Sequence, residues 1–153
     1  MANRVIVFSL DRGFDRWETR VKKITAETLL FLKKRKLEVE IYIIDSRRMR
    51  AINKKFRHHN ADTNILAFPE IARPVFVEPT REFDFKRIGE IYLNPIYILK
   101  RKENVLRVLV HGLLHLFGYD HRAKDDTIKM EKLEKKVQDF FLGRPGYYRV
   151  RRF

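Results

Sequence analysis

Hydrophobic side chains recur along this chain at two spacings, one typical of helices and the other of strands. Trp17, Val21 and Ile24 lie four and three residues apart among lysines and arginines, which predicts an amphipathic helix over residues 15–31. Short runs rich in β-branched and aromatic residues predict strands at residues 3–10, 37–44, 64–68 and 88–93. Further helices are predicted over residues 46–56, 95–99, 105–117 and 124–142, and a loop over residues 70–86.

The segment over residues 105–117 is apolar on nearly every side, which indicates a helix buried at the centre of the fold. Strands alternate with helices without an internal repeat or a linker, so the chain is expected to form one domain over residues 1–153. We expect an α+β (α/β-like) fold with a small mixed four-stranded sheet packed by about five helices. The buried central helix carries the candidate metal ligands, and residues 143–153 form a basic, aromatic C-terminal tail.

Three histidines lie in that central helix and in the turn after it. His111 and His115 are four residues apart, so their rings project from one helical face. Gly118 can take the left-handed conformation that ends a helix, and the chain can then return His121 to the same point. Three imidazoles leave one coordination position open for water, which is the arrangement of catalytic zinc. We therefore predict one Zn²⁺ ion held by His111, His115 and His121.

The same histidine spacing occurs in the metzincin peptidases, whose pattern is H-E-x-x-H-x-x-G-x-x-H. In those enzymes the glutamate after the first histidine is the general base, whereas this chain has Gly112 at that position. The pattern therefore favours a metal site and argues against a protease.

The charge of the chain indicates a polyanionic partner. Thirty-four lysines and arginines against twenty acidic residues give a net charge of +14 and a pI near 10.2. Such an excess attracts nucleic acid. There is no cysteine, so a transition metal depends on histidine and carboxylate ligands. No segment approaches the ~20 apolar residues of a membrane span, and we expect a cytoplasmic protein without a membrane partner.

The tail over residues 143–153 combines arginine with tyrosine and phenylalanine. Arginine suits contacts to phosphate and aromatic rings suit base stacking, which makes the tail a candidate RNA contact. The arginines concerned are Arg144, Arg149, Arg151 and Arg152. A frayed, solvated basic terminus explains the same composition equally well, and both interpretations stay open.

Four segments of the chain together resemble one known family. They are residues 52–57 (INKKFR), 61–69 (ADTNILAFP), 88–91 (IGEI) and 111–121 (HGLLHLFGYDH), and they occur in the family's order. The family is YbeY, a group of bacterial single-strand-specific endoribonucleases. The resemblance implies a zinc-dependent endoribonuclease that processes the 3′ end of small-subunit rRNA and takes part in ribosome quality control. It also implies rRNA and the ribosome or ribosomal proteins as partners.

The resemblance further implies roles for single residues, with the three histidines matching the metal ligands of the family. Arg57 and His115 are the candidate catalytic residues, and Arg57 is expected to contact RNA and stabilise negative charge on the phosphate. Ala67 and Glu90 depart from the serine and aspartate that are usual in the family. The general base is left unassigned. The nucleophile stays open between water activated by the metal, which would serve as its own base, and the RNA 2′-hydroxyl.

Two carboxylates, those of Asp120 and Glu90, are candidates to orient a ligand imidazole through its second ring nitrogen. Asp120 can equally cap the turn after the helix, and Met130, at helical spacing, is expected in the core. Two further functions remain compatible with the sequence. One is a ribosome-assembly binding factor whose metal is structural, and the other is a metallohydrolase of another substrate class.

Overall fold

The computed structural model describes residues 3–70, 85–119 and 124–144. In chain order the elements are β1 (Arg4–Ser9), α1 (Asp15–Phe31), β2 (Leu37–Ile43), α2 (Ser46–Arg57), β3 (Ile65–Pro69), β4 (Lys86–Leu93), α3 (Pro95–Lys100), α4 (Val105–Leu116) and α5 (Lys124–Leu142). Each predicted strand and helix is confirmed, and the ends agree to within two residues. Most of the predicted loop over residues 70–86 lies outside the described ranges. Among the helices in those ranges, none is both long and apolar enough to span a membrane.

The strands form one mixed sheet in the order β1-β2-β4-β3. β1, β2 and β4 run parallel, whereas β3 pairs antiparallel with β4, from Ile65 opposite Leu93 to Pro69 opposite Gly89. Pro69 is the last residue of β3, one position beyond the predicted end of this strand at residue 68. The missing N–H of a proline is tolerated there because β3 is an edge strand of this sheet. The predicted α+β fold with a mixed four-stranded sheet is confirmed.

Helix α4 lies in the core, as its apolar sequence predicts. Nine of its 12 residues are buried, and it packs against β3, β4, α1 and α5. Each buried leucine or valine side chain contributes roughly 1.5–3 kcal/mol, so this helix is held firmly in place. Asn104 caps the helix by accepting a hydrogen bond from the main-chain N–H of Leu106 at 2.9 Å. The cap marks the start of α4 as a helix separate from α3, in agreement with the two helices predicted over residues 95–99 and 105–117.

Gly112 lets helix α4 lie directly against strand β3. A Cβ atom at this position would lie 2.5 Å from Cδ1 of Ile65, well inside the 3.5–4.0 Å at which carbon atoms pack. The helical face that carries His111 and His115 is thereby brought next to β3. A glutamate at position 112 would have to fit into the same contact. A glutamate there would therefore require the Ile65 side chain to move.

Gly112→Ala is expected to lower the free energy of unfolding by about 1 kcal/mol. The new methyl group overpacks the contact with Ile65 at a cost of about 1–3 kcal/mol, while alanine in a helix gains up to about 1 kcal/mol over glycine. Ile65→Val removes the Cδ1 atom that causes the overlap, so Gly112→Ala should raise stability in that background. Urea denaturation of the four proteins measures both effects. A Gly112→Ala substitution that stabilises the otherwise unchanged protein would contradict the close packing.

Candidate metal centre and cleft

His111 and His115 direct their imidazole rings to the same place, as the helical spacing predicts. Their Nε2 atoms are 3.0 Å apart, and the ring centroids are 4.5 Å apart with planes inclined at 79°. Helix α4 ends at Leu116, and Gly118 then has a φ of +88°, the left-handed conformation expected of it. The third predicted ligand, His121, and the adjacent Asp120 lie outside the described residues.

A carboxylate from helix α5 holds the far side of the first ring. Oε1 of Glu134 lies 2.7 Å from Nδ1 of His111, and the Glu134 side chain is only 11% exposed. A neutral imidazole that donates from Nδ1 to this carboxylate carries its lone pair on Nε2, the nitrogen that faces His115. Glu134 therefore determines which nitrogen of His111 is available to a ligand.

Sequence reasoning did not assign this role to Glu134, although its position carries a signal. Met130, Glu134, Val137 and Phe141 are the buried residues of α5, so the carboxylate lies within an apolar stripe. An unpaired buried charge costs several kcal/mol, so a carboxylate at such a position requires a partner in the core. Met130 is part of the hydrophobic core, as predicted.

The paired Nε2 atoms fit two ligands of a tetrahedral metal ion. Two nitrogen ligands at about 2.05 Å from such an ion lie about 3.3 Å apart, close to the 3.0 Å found here. Within residues 3–70, 85–119 and 124–144, no group of three or more His, Cys, Asp or Glu residues could hold an ion. A three-histidine site therefore needs a donor from the rest of the chain, where His121 lies.

The histidine pair opens into a cleft of about 640 Å³. Its walls come from the end of α2, from β3 with the loop before it, and from α4 with the turn after it. This volume lies in the range of ligand-binding sites, roughly 300–1,000 Å³. The lining residues that the structure describes include Arg57 but no carboxylate. The cleft is therefore suited to an anionic ligand.

Arg57 lies on the wall of this cleft, at the last position of α2. Its Nη2 donates to the carbonyl oxygen of Ala67 at 2.9 Å, and its guanidinium carbon is 5.0 Å from the centre of the Phe68 ring. These contacts orient the guanidinium, which has five N–H donors in all and so can bind a ligand at the same time. Because the bond goes to a main-chain carbonyl, alanine at position 67 preserves it as well as serine would.

The interpretation of Glu90 as a group that orients a ligand imidazole is wrong. Ile91 approaches the position of a Gly112 Cβ atom to 3.6 Å, so its neighbours along β4 face the other side of the sheet. There the Glu90 carboxylate accepts hydrogen bonds from Arg87 at 3.4 Å and from the hydroxyl of Tyr92 at 3.3 Å. Burial, reinforced by the charge of Glu90, raises the pKa of Tyr92.

Of the four arginines predicted to contact RNA through the tail, Arg144 is described. Its Nη1 donates to Oε2 of Glu27 at 3.0 Å, and its guanidinium carbon lies 4.3 Å from the centre of the Phe140 ring. Arg144 is thus held between α1 and α5 and is not among the residues that line the cleft. Arg149, Arg151 and Arg152 lie outside the described residues, and RNA contact by the tail stays a prediction.

Three comparisons with known proteins bear on this fold and site. The solution structure of a protein from Thermotoga maritima matches with a TM-score of 0.54 over 92% of this chain and 93% of that chain, at 22% identity, which shows a shared fold. A protein of Sulfurihydrogenibium sp. named Endoribonuclease YbeY is 33% identical over 128 residues, 78% of this chain and 80% of that protein. Its namesake in Buchnera aphidicola is 32% identical over 143 residues, which are 88% of this chain and 81% of that protein.

The family model described as Endoribonuclease YbeY matches residues 9–141. That span contains both walls of the cleft, the three histidines and Glu134, and the chain belongs to the YbeY family.

Proposed function

We propose that this protein is a zinc-dependent endoribonuclease that cleaves single-stranded RNA during rRNA maturation. The observation that carries the proposal is the pair of Nε2 atoms of His111 and His115, 3.0 Å apart in a cleft that Arg57 also lines. Membership of the YbeY family, whose relatives carry the name endoribonuclease, supports RNA as the substrate.

The two histidines would hold the ion together with His121, and Glu134 would orient the ring of His111. Imidazole nitrogens suit zinc, and the chain has no cysteine to offer a thiolate. Bound there, one Zn²⁺ ion would supply Lewis-acid chemistry and a nucleophile at neutral pH. Because the three histidine ligands are neutral, the loaded site would keep a double positive charge and would attract phosphate.

Arg57 binds the phosphate that reacts. Cleavage of a phosphodiester builds negative charge on the nonbridging oxygens, and a guanidinium stabilises that charge through charge-assisted hydrogen bonds. The contacts with Ala67 and Phe68 already restrict the Arg57 side chain, so it loses less conformational entropy when RNA binds. The nucleophile is either water or the RNA 2′-hydroxyl, and Arg57 acts in the same way on both routes.

The proposed substrate is rRNA, with the 3′ end of the small-subunit rRNA as the site of action and ribosome quality control as a further role. The net charge of +14 attracts a polyanion. Within the cleft, a volume of about 640 Å³ suits a nucleotide splayed out from a single strand, which is how proteins usually read RNA. Such a role implies the ribosome or ribosomal proteins as partners, and a cytoplasmic location.

His115→Ala is expected to abolish cleavage of a labelled single-stranded RNA without unfolding the protein, because it removes a proposed metal ligand at a half-buried position and no core residue. The matched control is His59→Ala, which removes an exposed histidine from the loop between α2 and β3. Gel electrophoresis measures cleavage, and circular dichroism confirms the fold. EDTA should stop cleavage by the unmodified protein, and added zinc should restore it.

Full cleavage by folded His115→Ala protein would contradict the proposal. RNA binding that persists in the unmodified protein and in the variant, without cleavage by either above a protein-free control, would instead favour a ribosome-assembly factor whose metal is structural.

Arg57→Gln is expected to lower kcat by about 10²- to 10³-fold with a smaller change in KM, because the lost hydrogen bonds strengthen as charge develops. Arg50→Gln is the control, since Arg50 lies on the same helix, bonds to Asn60 at 3.1 Å and does not line the cleft. Steady-state kinetics on one RNA oligonucleotide measure both variants. An equal loss in the two would mean that charge alone matters and would refute the role of Arg57.

Glu134→Gln is expected to weaken zinc affinity by about 10- to 100-fold, because a neutral amide accepts a weaker hydrogen bond from Nδ1 of His111. Glu131→Gln changes an exposed carboxylate on the same helix and should leave the affinity unchanged. Competition with a chromophoric chelator measures the dissociation constants. If Glu134→Gln binds zinc as tightly as the Glu131→Gln control, Glu134 does not orient the ligand.

A further inference from the structure

A second cavity lies beside the metal cleft. It has a volume of about 250 Å³ and is lined by the end of α1, the end of α4 and Leu133 of α5. Tyr119, in the turn that follows α4, lines both cavities. A strand that leaves the metal cleft past Tyr119 therefore meets this cavity next.

The lining of the second cavity combines aromatic rings with positive charge. Phe31, Phe117 and Tyr119 supply the rings, Lys33 and Lys34 supply the charge, and the described lining contains no carboxylate. Nζ of Lys34 is 4.7 Å from the centre of the Phe117 ring, within the range of a cation–π contact. Subsites for single-stranded nucleic acid have this composition, because a base stacks on a ring while a cation neutralises the phosphate.

The turn that carries these lysines is locally strained. Lys33 has a φ of 58° and Lys36 a φ of 55°, in the left-handed region that glycine or asparagine occupies more easily. Such a conformation costs about 1–2 kcal/mol per residue and often marks a functional segment. Lys33 and Lys34, the first two of the four consecutive basic residues in this turn, line the cavity beside the aromatic rings.

The cavity also lies next to the start of the arginine-rich tail. The ring of Phe31 packs 4.7 Å from that of Phe140, and the guanidinium carbon of Arg144 lies 4.3 Å from the centre of the Phe140 ring. Arg144, near the start of this tail, is the last residue that the structure describes, and it is paired with Glu27 at 3.0 Å. Two packed aromatic rings therefore connect the cavity to the base of the tail.

We propose that the second cavity is a subsite for one nucleotide of single-stranded RNA, next to the nucleotide in the metal cleft. Its base stacks on the aromatic lining, and the flanking phosphates bind Lys33 and Lys34. A volume of about 250 Å³ is below the roughly 300–1,000 Å³ of small-molecule sites, which suits one base of a longer strand. The ligand class rests on the proposed function. The subsite adds a path for the RNA, from Arg57 past Tyr119 towards Arg144.

The test compares the full-length zinc-loaded protein with two matched double variants. Lys33→Gln/Lys34→Gln removes two charges from the subsite, and Lys22→Gln/Lys23→Gln removes two exposed charges from α1, the helix before this turn, outside both cavities. Fluorescence anisotropy measures affinity for a labelled 2′-O-methylated uridine mononucleotide and for a 2′-O-methylated oligouridylate of about ten nucleotides, at several salt concentrations. A length of about ten nucleotides is within the ~4–16 that single-strand sites commonly span. A gel confirms that the RNA stays intact, and thermal melting confirms that all three proteins are equally stable.

Loss of the lysine pair in the subsite is expected to weaken binding of the longer RNA about five- to tenfold and to reduce the salt slope of log Kd by about 1.4, because each phosphate contact to a single strand contributes about 0.7. The mononucleotide fills only the metal cleft and should bind all three proteins alike. A loss no larger than that of Lys22→Gln/Lys23→Gln would overturn the subsite.

The subsite and the endoribonuclease proposal fail separately. If cleavage requires His115, but neither cleavage nor RNA affinity changes in Lys33→Gln/Lys34→Gln, the endoribonuclease proposal stands and the subsite proposal fails. If the protein never cleaves RNA, but binds the longer RNA more tightly only when Lys33 and Lys34 are present, the subsite proposal stands and the endoribonuclease proposal fails.

Discussion

The contact between Gly112 of helix α4 and Ile65 of strand β3 determines how the rest of the site is built. The absence of a side chain at Gly112 leaves room for the Ile65 side chain to pack on the helix, so this contact sets the separation of α4 and β3, two walls of the cleft. The helix is fixed by nine buried residues, and the strand is fixed by its pairing with β4. The histidine pair thus stands on a rigid element, and Arg57 is bonded to the main chain of the fixed strand through Ala67. This matters because a misplacement of about 1 Å can cost a catalyst 10²-fold in rate.

A line of polar contacts runs from the core to this cleft. It begins at the carboxylate of Glu134, passes through both nitrogens of His111 and ends at Nε2 of His115. The Glu134 carboxylate is buried and costly to leave unpaired, so its bond to Nδ1 fixes the ring of His111. The line ends at the wall of the cleft, where the two Nε2 atoms are 3.0 Å apart. The proposed cation, held by both rings, would make the carboxylate of α5 and the histidine pair of α4 parts of one site.

Local patterns predicted most of the fold and the histidine pair, because helical spacing relates residues that are neighbours along the chain. Glu134 was not predicted for the opposite reason, since it contacts His111 from 23 positions further along the chain. Periodicity marks Glu134 as buried but does not identify its partner. The error on Glu90 comes from β4 itself, where Ile88 and Gly89 are both buried and the pairing with β2 shifts between Glu38 and Val39. Simple alternation along such a strand does not reveal which side chains face the helix.

The position of β3 at the edge of the sheet bears on which polymer the cleft accepts. An extended peptide commonly binds an exposed strand by adding a further strand to it through main-chain hydrogen bonds. On β3 the carbonyl of Ala67 already accepts a hydrogen bond from Arg57, and Pro69 has no N–H to donate. The edge is therefore a poor template for a peptide backbone. An RNA strand is held through its phosphates and bases and requires none of these main-chain groups, so the sheet edge discriminates between the two polymers before any catalytic group acts.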